Sequence, residues 1–168
     1  GLRVHDIDVW GPAAGPGSFT GVRIGLAAAK ALAEVTSTPV APVGNLEALA
    51  FAGRGDPRAA VLDARRGQVF TALYDADFGP LLEPTVGAWE GFRAALGERE
   101  PVVATIDAEL FGSGGPAHAV GLDELVLVDT PAASIALLAE RRARAGGTVP
   151  LEQVQPIYVR RPDVREPE

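Results

Sequence analysis

The sequence contains no cysteine and no methionine, and only two histidines stand among its 168 residues. Without cysteine, the chain has no disulfide framework, no thiolate metal ligand and no cysteine nucleophile. The histidines, His5 and His118, are far apart and form no His-x-x-x-His or His-Glu-x-x-His pattern, so each is interpreted as a solvated or structural residue. Charged residues, glycine or proline interrupt every apolar run well before the roughly 20 residues that a membrane helix needs.

Positive charge is also scarce, since Lys30 is the single lysine and the formal net charge is -7 with a pI near 4.9. A broad basic surface is therefore not expected, and tight non-specific binding of a nucleic acid would need a basic partner. The hydrophobic content of 47% is typical of a soluble globular protein with one domain or two small ones. Because the chain opens with Gly1 and carries no signal segment, we expect a cytoplasmic protein whose natural N-terminus lies further upstream.

Hydrophobic patterns and turn residues predict alternating strands and helices, which is an α/β arrangement. Strands are expected at residues 7–10, 39–43, 59–63, 68–75, 102–106 and 125–128, with the third and fourth joined as a hairpin. Helices are expected at residues 18–36, 45–51 and 89–96, and a fourth is expected to start at 130, continue through Arg142 and stop at Gly146-Gly147. Asn45 and Thr130 are the expected N-caps of two of them, with Pro131 in the first turn of the last. The glycine- and proline-containing loop 53–57 is the expected boundary between two unequal parts.

The helix expected at residues 18–36 is unusually apolar, and Ser18 or Thr20 is expected to cap its start. Helical spacing divides its side chains into a polar stripe, a small-residue face and an apolar face. The polar stripe consists of Thr20, Arg23, Lys30 and Glu34; the small-residue face of Gly21, Gly25, Ala29 and Ala33; the apolar face of Ile24, Ala28, Leu32 and Val35. Such a helix should be covered on nearly all sides, by its own sheet, by another helix or by a partner.

A glycine-rich turn, Gly15-Pro16-Gly17, leads into this helix. Backbone N–H groups at a helix N-terminus favour anions, which is one interpretation of the turn. Its glycine spacing, however, fits neither the dinucleotide-binding pattern nor the P-loop, which requires Gly-Lys-Ser/Thr. The other interpretation is a tight turn that allows the strand and the helix to pack closely.

Three other features have a possible functional interpretation and an ordinary one. Asp63 lies beside Arg65 and Arg66, where it is either a catalytic carboxylate or part of a charged hairpin tip. Ser18 has no histidine near it in sequence and lacks the nucleophile-elbow spacing, so capping explains it better than nucleophilic catalysis. The arginines of residues 141–144 either contact nucleic acid or complement the negative end of a helix dipole.

The run from Gly15 to Gly25, Gly-Pro-Gly-Ser-Phe-Thr-Gly-Val-Arg-Ile-Gly, resembles the signature of the TsaB (YeaZ) family, which is glycoprotease-like (peptidase M22-like). Further segments are similar to family segments in the same order, namely residues 27–31, 39–43, 45–50, 62–70 and 156–160. The family-motif positions are Gly15, Pro16, Gly17, Ser18, Thr20, Gly21, Gly25, Asp63, Arg65, Arg66 and Gly67.

This resemblance implies an actin-like ATPase fold with two unequal ribonuclease H-like halves, at residues 1–55 and 56–168. Family members begin with a β-hairpin unit and a first helix that have no counterpart in this sequence, so it resembles an N-terminally truncated member. The first half is therefore expected to be an incomplete sheet with an exposed edge that is prone to pair with another chain. The first phosphate-loop position of the superfamily would be missing with that unit, which argues against a nucleotide site.

The resemblance also implies a non-catalytic scaffold subunit that binds the catalytic relative TsaD and, through it, the ATPase TsaE. Their task is threonylcarbamoylation of the tRNA adenosine next to the anticodon, and a homodimer is expected when the chain is alone. No cofactor, metal or membrane is implied, and tRNA would be contacted only indirectly. The interface residues implied on the helix are Phe19, Val22, Arg23, Leu26, Ala29, Lys30 and Ala33. The alternatives are a glycoprotease-like metallopeptidase and an actin-like nucleotide hydrolase.

Overall fold

The computed structural model of the chain describes residues 1, 3–117 and 125–159. Its largest element is a five-stranded mixed sheet with the strand order β3-β2-β1-β4-β5. The strands are β1 (Arg58–Arg65), β2 (Gln68–Tyr74), β3 (Pro80–Gly87), β4 (Val102–Thr105) and β5 (Leu125–Leu127). Strands β1, β2 and β3 form an antiparallel meander, whereas β4 and β5 run parallel to β1.

The helices are α1 (Phe19–Thr36), α2 (Asn45–Ala52), α3 (Trp89–Leu96) and α4 (Ala132–Arg144). Helices α2 and α3 cover opposite faces of the sheet, because Leu62 of β1 packs in a cluster with Leu49 of α2, whereas Val61 packs in a cluster with Trp89 of α3. Successive strand side chains point to opposite faces, so a strand covered on both sides is a continuous apolar run.

A smaller layer is formed by two extended segments near the N-terminus. Residues 10–14 run parallel to residues 39–43, with bridges from Trp10 to Val40 and from Ala13 to Val43. On one face, Ala14 and Val40 pack against α1; on the other face, Ala13 packs with Ile135 of α4. The two extended segments are therefore enclosed between α1 and α4.

Most of the expected elements are present, but two expected strands are not regular strands and one unexpected strand is present. The strands expected at residues 7–10 and 39–43 are wrong as regular strands, since these residues form only isolated bridges. Strand β3 was not expected, because Pro80 and Pro84 are atypical of a strand; both prolines are tolerated since β3 lies at the edge of the sheet.

The caps differ in part from the expectation. Ser18 is the N-cap of α1, with its hydroxyl accepting a hydrogen bond from the Gly21 N–H at 3.3 Å, which confirms that prediction. Asn45 is the first residue of α2 rather than its cap, because Gly44 occupies the cap position and the Asn45 side chain donates to the Pro16 carbonyl at 3.0 Å. Pro131 occupies the assigned cap position of α4 with a helical backbone, and the Thr130 hydroxyl accepts a hydrogen bond from the Ala132 N–H at 3.4 Å, as expected of a capping side chain. None of the described helices is long and apolar enough to cross a membrane.

Candidate functional site

The glycine-rich turn and the β1–β2 hairpin tip carry the family-motif positions, and they line one cleft although they are distant in sequence. The cleft has a volume of about 780 Å³ and lies between the glycine-rich turn, the β1–β2 hairpin tip and residues 156–159. Its lining includes Gly15, Ser18 and Thr20 from the first motif segment, and Asp63 and Arg65 from the second. The structure therefore brings together family-motif positions that sequence reasoning treated separately.

The glycine-rich turn is tightly packed against its own chain. Gly15 has φ of +97°, a left-handed conformation that favours glycine, and a Cβ at this position would lie 3.2 Å from the Ile157 carbonyl oxygen. The Gly15 carbonyl accepts a hydrogen bond from the Asn45 N–H at 2.7 Å. These contacts favour the interpretation of the segment as a close-packing turn.

The hairpin tip is an internally paired charged turn. The Asp63 carboxylate accepts a hydrogen bond from the Arg65 N–H at 2.7 Å and lies 3.0 Å from the Arg65 guanidinium. Arg66 and Gly67, the two loop residues between β1 and β2, have positive φ, as a tight two-residue hairpin turn requires, and Arg65 before them also has positive φ. The Asp63 N–H donates to the Asp107 carboxylate at 2.9 Å. This geometry favours a structural role for Asp63 over a catalytic one.

An arginine clamped between two exposed aromatic rings lies at the mouth of the cleft. The Arg23 guanidinium carbon lies 3.7 Å from the centre of the Phe19 ring, and Nε and Nη2 donate to the Tyr158 hydroxyl at 3.0 and 2.7 Å. Phe19 and Tyr158 are 56% and 50% exposed. Tyr158 was not among the candidate site residues, although it lies in a segment that resembles the family.

The interface residues expected on α1 lie in different environments. Leu26, Ala29 and Ala33 are buried in the chain's own core, where Leu26 and Ala33 pack in a cluster with Ala14, Val40 and Val154. Phe19 and Arg23 are exposed, and Val22 and Lys30 are half-buried. Only this second group is accessible to another molecule in the described structure.

The apolar face of α1 is not covered by the described part of the chain. Ile24 is 65% exposed and Val35 is 78% exposed, and Leu32 is also exposed. A Cβ added at Gly25 would meet no atom within 4 Å, so open space lies beside it. We expected the chain's own sheet, another helix or a partner to cover nearly all sides of α1. The described part of the chain covers only one side of it.

The described residues include no group of three or more side chains that could hold a metal ion. His5 is exposed in the short 3₁₀ helix Val4–Asp6, and His118 lies outside the described residues. The arginine run near the end of α4 is largely engaged within the chain, since Arg142 contacts Glu47 and the Pro42 carbonyl and Arg144 pairs with Glu140 at 2.6 Å. These pairings disfavour the run as a nucleic-acid contact.

Known proteins resemble both the sequence and the fold. Residues 1–84 match the family model described as TsaD, tRNA N6-adenosine threonylcarbamoyltransferase. The tRNA threonylcarbamoyladenosine biosynthesis protein TsaB of Bacillus subtilis is 50% identical over 76 residues, which cover 44% of this chain and 33% of that protein. The protein of the same name from Escherichia coli is 31% identical over 179 aligned positions, which cover 95% of this chain and 74% of that protein.

A solved structure of YeaZ from Pseudomonas aeruginosa superposes with a TM-score of 0.71 at 23% identity, covering 94% of this chain and 76% of that one. The fold is thus the actin-like, ribonuclease H-like α/β fold that the sequence led us to expect. Since the alignment with the Escherichia coli TsaB protein extends over nearly the whole chain and over most of that protein, the chain belongs to the TsaB family.

Proposed function

We propose that the chain is a non-catalytic subunit in tRNA threonylcarbamoyladenosine biosynthesis, which binds a TsaD-like catalytic subunit. Through that subunit it would associate with a TsaE-like ATPase and with tRNA, and on its own it would form a homodimer. The site of action would be the cytoplasm. The names of the curated relatives and the matching TsaD family model are consistent with a role in this pathway.

The observation that carries the proposal is the exposed cluster of Phe19, Arg23 and Tyr158. Tyrosine and arginine are enriched among residues that dominate binding energy, and aromatic side chains in general are enriched at the centres of protein interfaces. Arg23 is already held in one orientation by a ring contact and two hydrogen bonds, so little side-chain entropy remains to be lost on binding. The rings of Phe19 and Tyr158 are 56% and 50% exposed, so another molecule can reach them. Such an ordered cluster of aromatic and cationic side chains is typical of a surface that binds a protein.

The proposal is tested by mixing the purified chain with the TsaD-like protein from the same genome and measuring the mass of the product by light scattering. We expect a one-to-one complex. Arg23→Ala and Phe19→Ala should each weaken it by about tenfold or more, which corresponds to about 1.4 kcal/mol. Arg144→Ala is the matched control, because Arg144 is also an exposed arginine but lies at the end of α4.

Loss of the gene should also remove threonylcarbamoyladenosine from tRNA, as measured by mass spectrometry of digested nucleosides. The wild-type gene should restore the modification, and the Arg23→Ala gene should restore less of it. The absence of a complex with the wild-type chain, or persistence of the modification after deletion, would contradict the proposed function.

A further inference from the structure

The tip of the β1–β2 hairpin departs from the residue preferences of a tight turn. Arg65 and Arg66 have φ of +65° and +56°, in the left-handed region where a Cβ approaches the following carbonyl oxygen. Glycine, asparagine and aspartate are usual at such positions, and Gly67 with φ of +72° conforms to this preference. Backbone strain of this kind is concentrated at ligand-binding and active sites. The turn alone therefore does not explain why both positions carry arginine.

Both arginines line the cleft between the glycine-rich turn and the hairpin tip. The Arg65 side chain is 86% exposed and lies 3.0 Å from the Asp63 carboxylate, which orients it. Because a guanidinium carries several N–H donors, this pairing leaves others for a second acceptor. Asp63 is the one acidic side chain among the described residues of the lining, and Arg23 adds a further positive charge at the mouth. The cleft is thus locally positive on a chain with a formal net charge of -7.

The walls of the cleft are largely apolar. They include the side chains of Val22 on α1, Phe70 on β2, and Ile157 and Val159 from the segment after α4. Ile157 is 43% exposed, so part of this apolar surface is accessible to another molecule. Pockets with apolar walls and a few precisely placed polar groups are typical of binding sites. The complementary ligand has an apolar body and a negatively charged group that reaches the arginines.

We infer that the cleft binds a short segment of the partner protein, with apolar side chains against the walls and an aspartate or glutamate carboxylate paired with Arg65 and Arg66. The partner is the TsaD-like subunit, so the inference rests on the proposed function and adds the chemistry of the segment that this subunit inserts. Guanidinium and carboxylate groups match in planar geometry and form charge-assisted hydrogen bonds, which are stronger than neutral ones. Phe19, Arg23 and Tyr158 lie at the mouth of the same cleft, so both contacts belong to one continuous surface.

A protein segment fits this cleft better than two other kinds of anion. A nucleic acid would extend its phosphates beyond the cleft, over the surface of an acidic chain that repels them. An inorganic phosphate ion has no apolar part and would leave the walls uncovered. An acidic protein segment places its charge only at the arginines, and it buries apolar surface of both proteins, which stabilises the complex.

The test measures the dissociation constant of the complex between the chain and the TsaD-like protein by isothermal titration calorimetry. Arg65→Asn and Arg66→Asn should each raise this constant by about tenfold or more, and it should depend less on salt in either variant. The thermal midpoint of the isolated chain should stay the same or rise, because asparagine tolerates the left-handed backbone better than arginine. Arginines retained for the fold alone would give the reverse pattern, with a lower thermal midpoint and an unchanged dissociation constant.

Arg3→Asn is the matched control for these variants. Arg3 also lies 3.0 Å from an aspartate carboxylate and its side chain is 83% exposed, but it is not among the residues that line the cleft. This variant should leave the dissociation constant and its salt dependence unchanged.

Overlapping peptides that cover the TsaD-like sequence identify the inserted segment by fluorescence anisotropy. We expect an acidic peptide to bind, and we expect its version with asparagine and glutamine in place of the acidic residues not to bind. Binding of inorganic phosphate or tRNA without binding of any acidic peptide would overturn the inference, as would unchanged complexes of both Arg65→Asn and Arg66→Asn. Either result leaves the proposed function in place, whereas the absence of any complex with the wild-type chain contradicts the proposed function itself.

Discussion

Among single residues, the buried Tyr74 makes the stability of the fold sensitive to alkaline pH. Burial raises the pKa of Tyr74 well above its ordinary value of 10.0, and the nearby Glu47 and Glu83 raise it further, against a smaller opposite effect of Arg142. The unfolded chain therefore ionises this hydroxyl before the folded chain does. Its contribution to stability is complete below pH 10 and decreases above it.

We expect the free energy of unfolding, measured by urea denaturation, to fall as the pH rises above about 10, and to fall less in Tyr74→Phe. Tyr158→Phe is the control, because Tyr158 is exposed, and it should retain the wild-type alkaline loss. Equal alkaline losses in the wild type and Tyr74→Phe would contradict this assignment.

Gly11 is required by close packing rather than by its backbone conformation. A Cβ at this position would lie 2.5 Å from the Cβ of Ala139 in α4. We expect Gly11→Ala to destabilise the chain by about 1–3 kcal/mol through overpacking. In combination with Ala139→Gly, part of this loss should be recovered, which a double-mutant cycle of urea denaturation measures as a coupling energy.

Replacing Gly25 by alanine should have the opposite effect, and Gly25→Ala is the matched control for Gly11→Ala. It lies inside α1 with no atom within 4 Å of an added Cβ. Gly25→Ala should therefore stabilise the monomer by about 0.5–1 kcal/mol, since glycine is a poor helix former. Denaturation at low protein concentration checks this without interference from self-association, and a destabilised Gly25→Ala variant would show that a contact at this position had been missed.

Within the elements, the start of α1 depends on the Ser18 side chain. Ser18→Ala removes the acceptor for the Gly21 N–H and should cost about 1 kcal/mol of stability, as measured by thermal or urea denaturation. Thr20→Ala is the control, because Thr20 is exposed inside the first turn and alanine has the higher helix propensity. If both variants lose the same stability, the cap is not the cause.

Local signals were sufficient for several elements and insufficient for others. The apolar period, the cap and the absence of proline predicted α1, and Gly67 between two β-rich runs predicted the β1–β2 hairpin. Strand β3 was missed because its prolines oppose the strand pattern, and only its edge position makes them acceptable. Asn45 has the chemistry of a cap, but the nearby Pro16 carbonyl engages its side chain instead.

For the molecule as a whole, the net charge of -7 predicts that the chain alone does not bind tRNA. The arginines at the end of α4 add little, since Arg142 and Arg144 are paired within the chain. We expect no tRNA binding by fluorescence anisotropy at physiological salt, and binding only when the TsaD-like subunit is added. Salt-sensitive binding by the chain alone would contradict this expectation.

The division into halves at residues 1–55 and 56–168 stays a prediction. Helix α4 comes from the second segment but packs on α2 of the first, where Ile135, Leu138 and Ala139 share a cluster with Ala41 and Ala48. Val149 likewise bridges to Val40. A boundary in the sequence therefore need not be a boundary between two separately folding units.

The sequence by itself determined the α/β class, the position of α1 with its cap, the hairpin and the family, because these depend on local periodicity and on residue motifs. Only the tertiary structure decided which side of α1 is buried, since small and apolar residues occur on both candidate faces and local spacing does not specify the neighbour. It also decided that Arg23 meets Tyr158, 135 residues away, and that the turn at Gly15 shares a cleft with Asp63. Contacts between residues so distant in sequence follow from the packing of whole elements, which no local pattern contains.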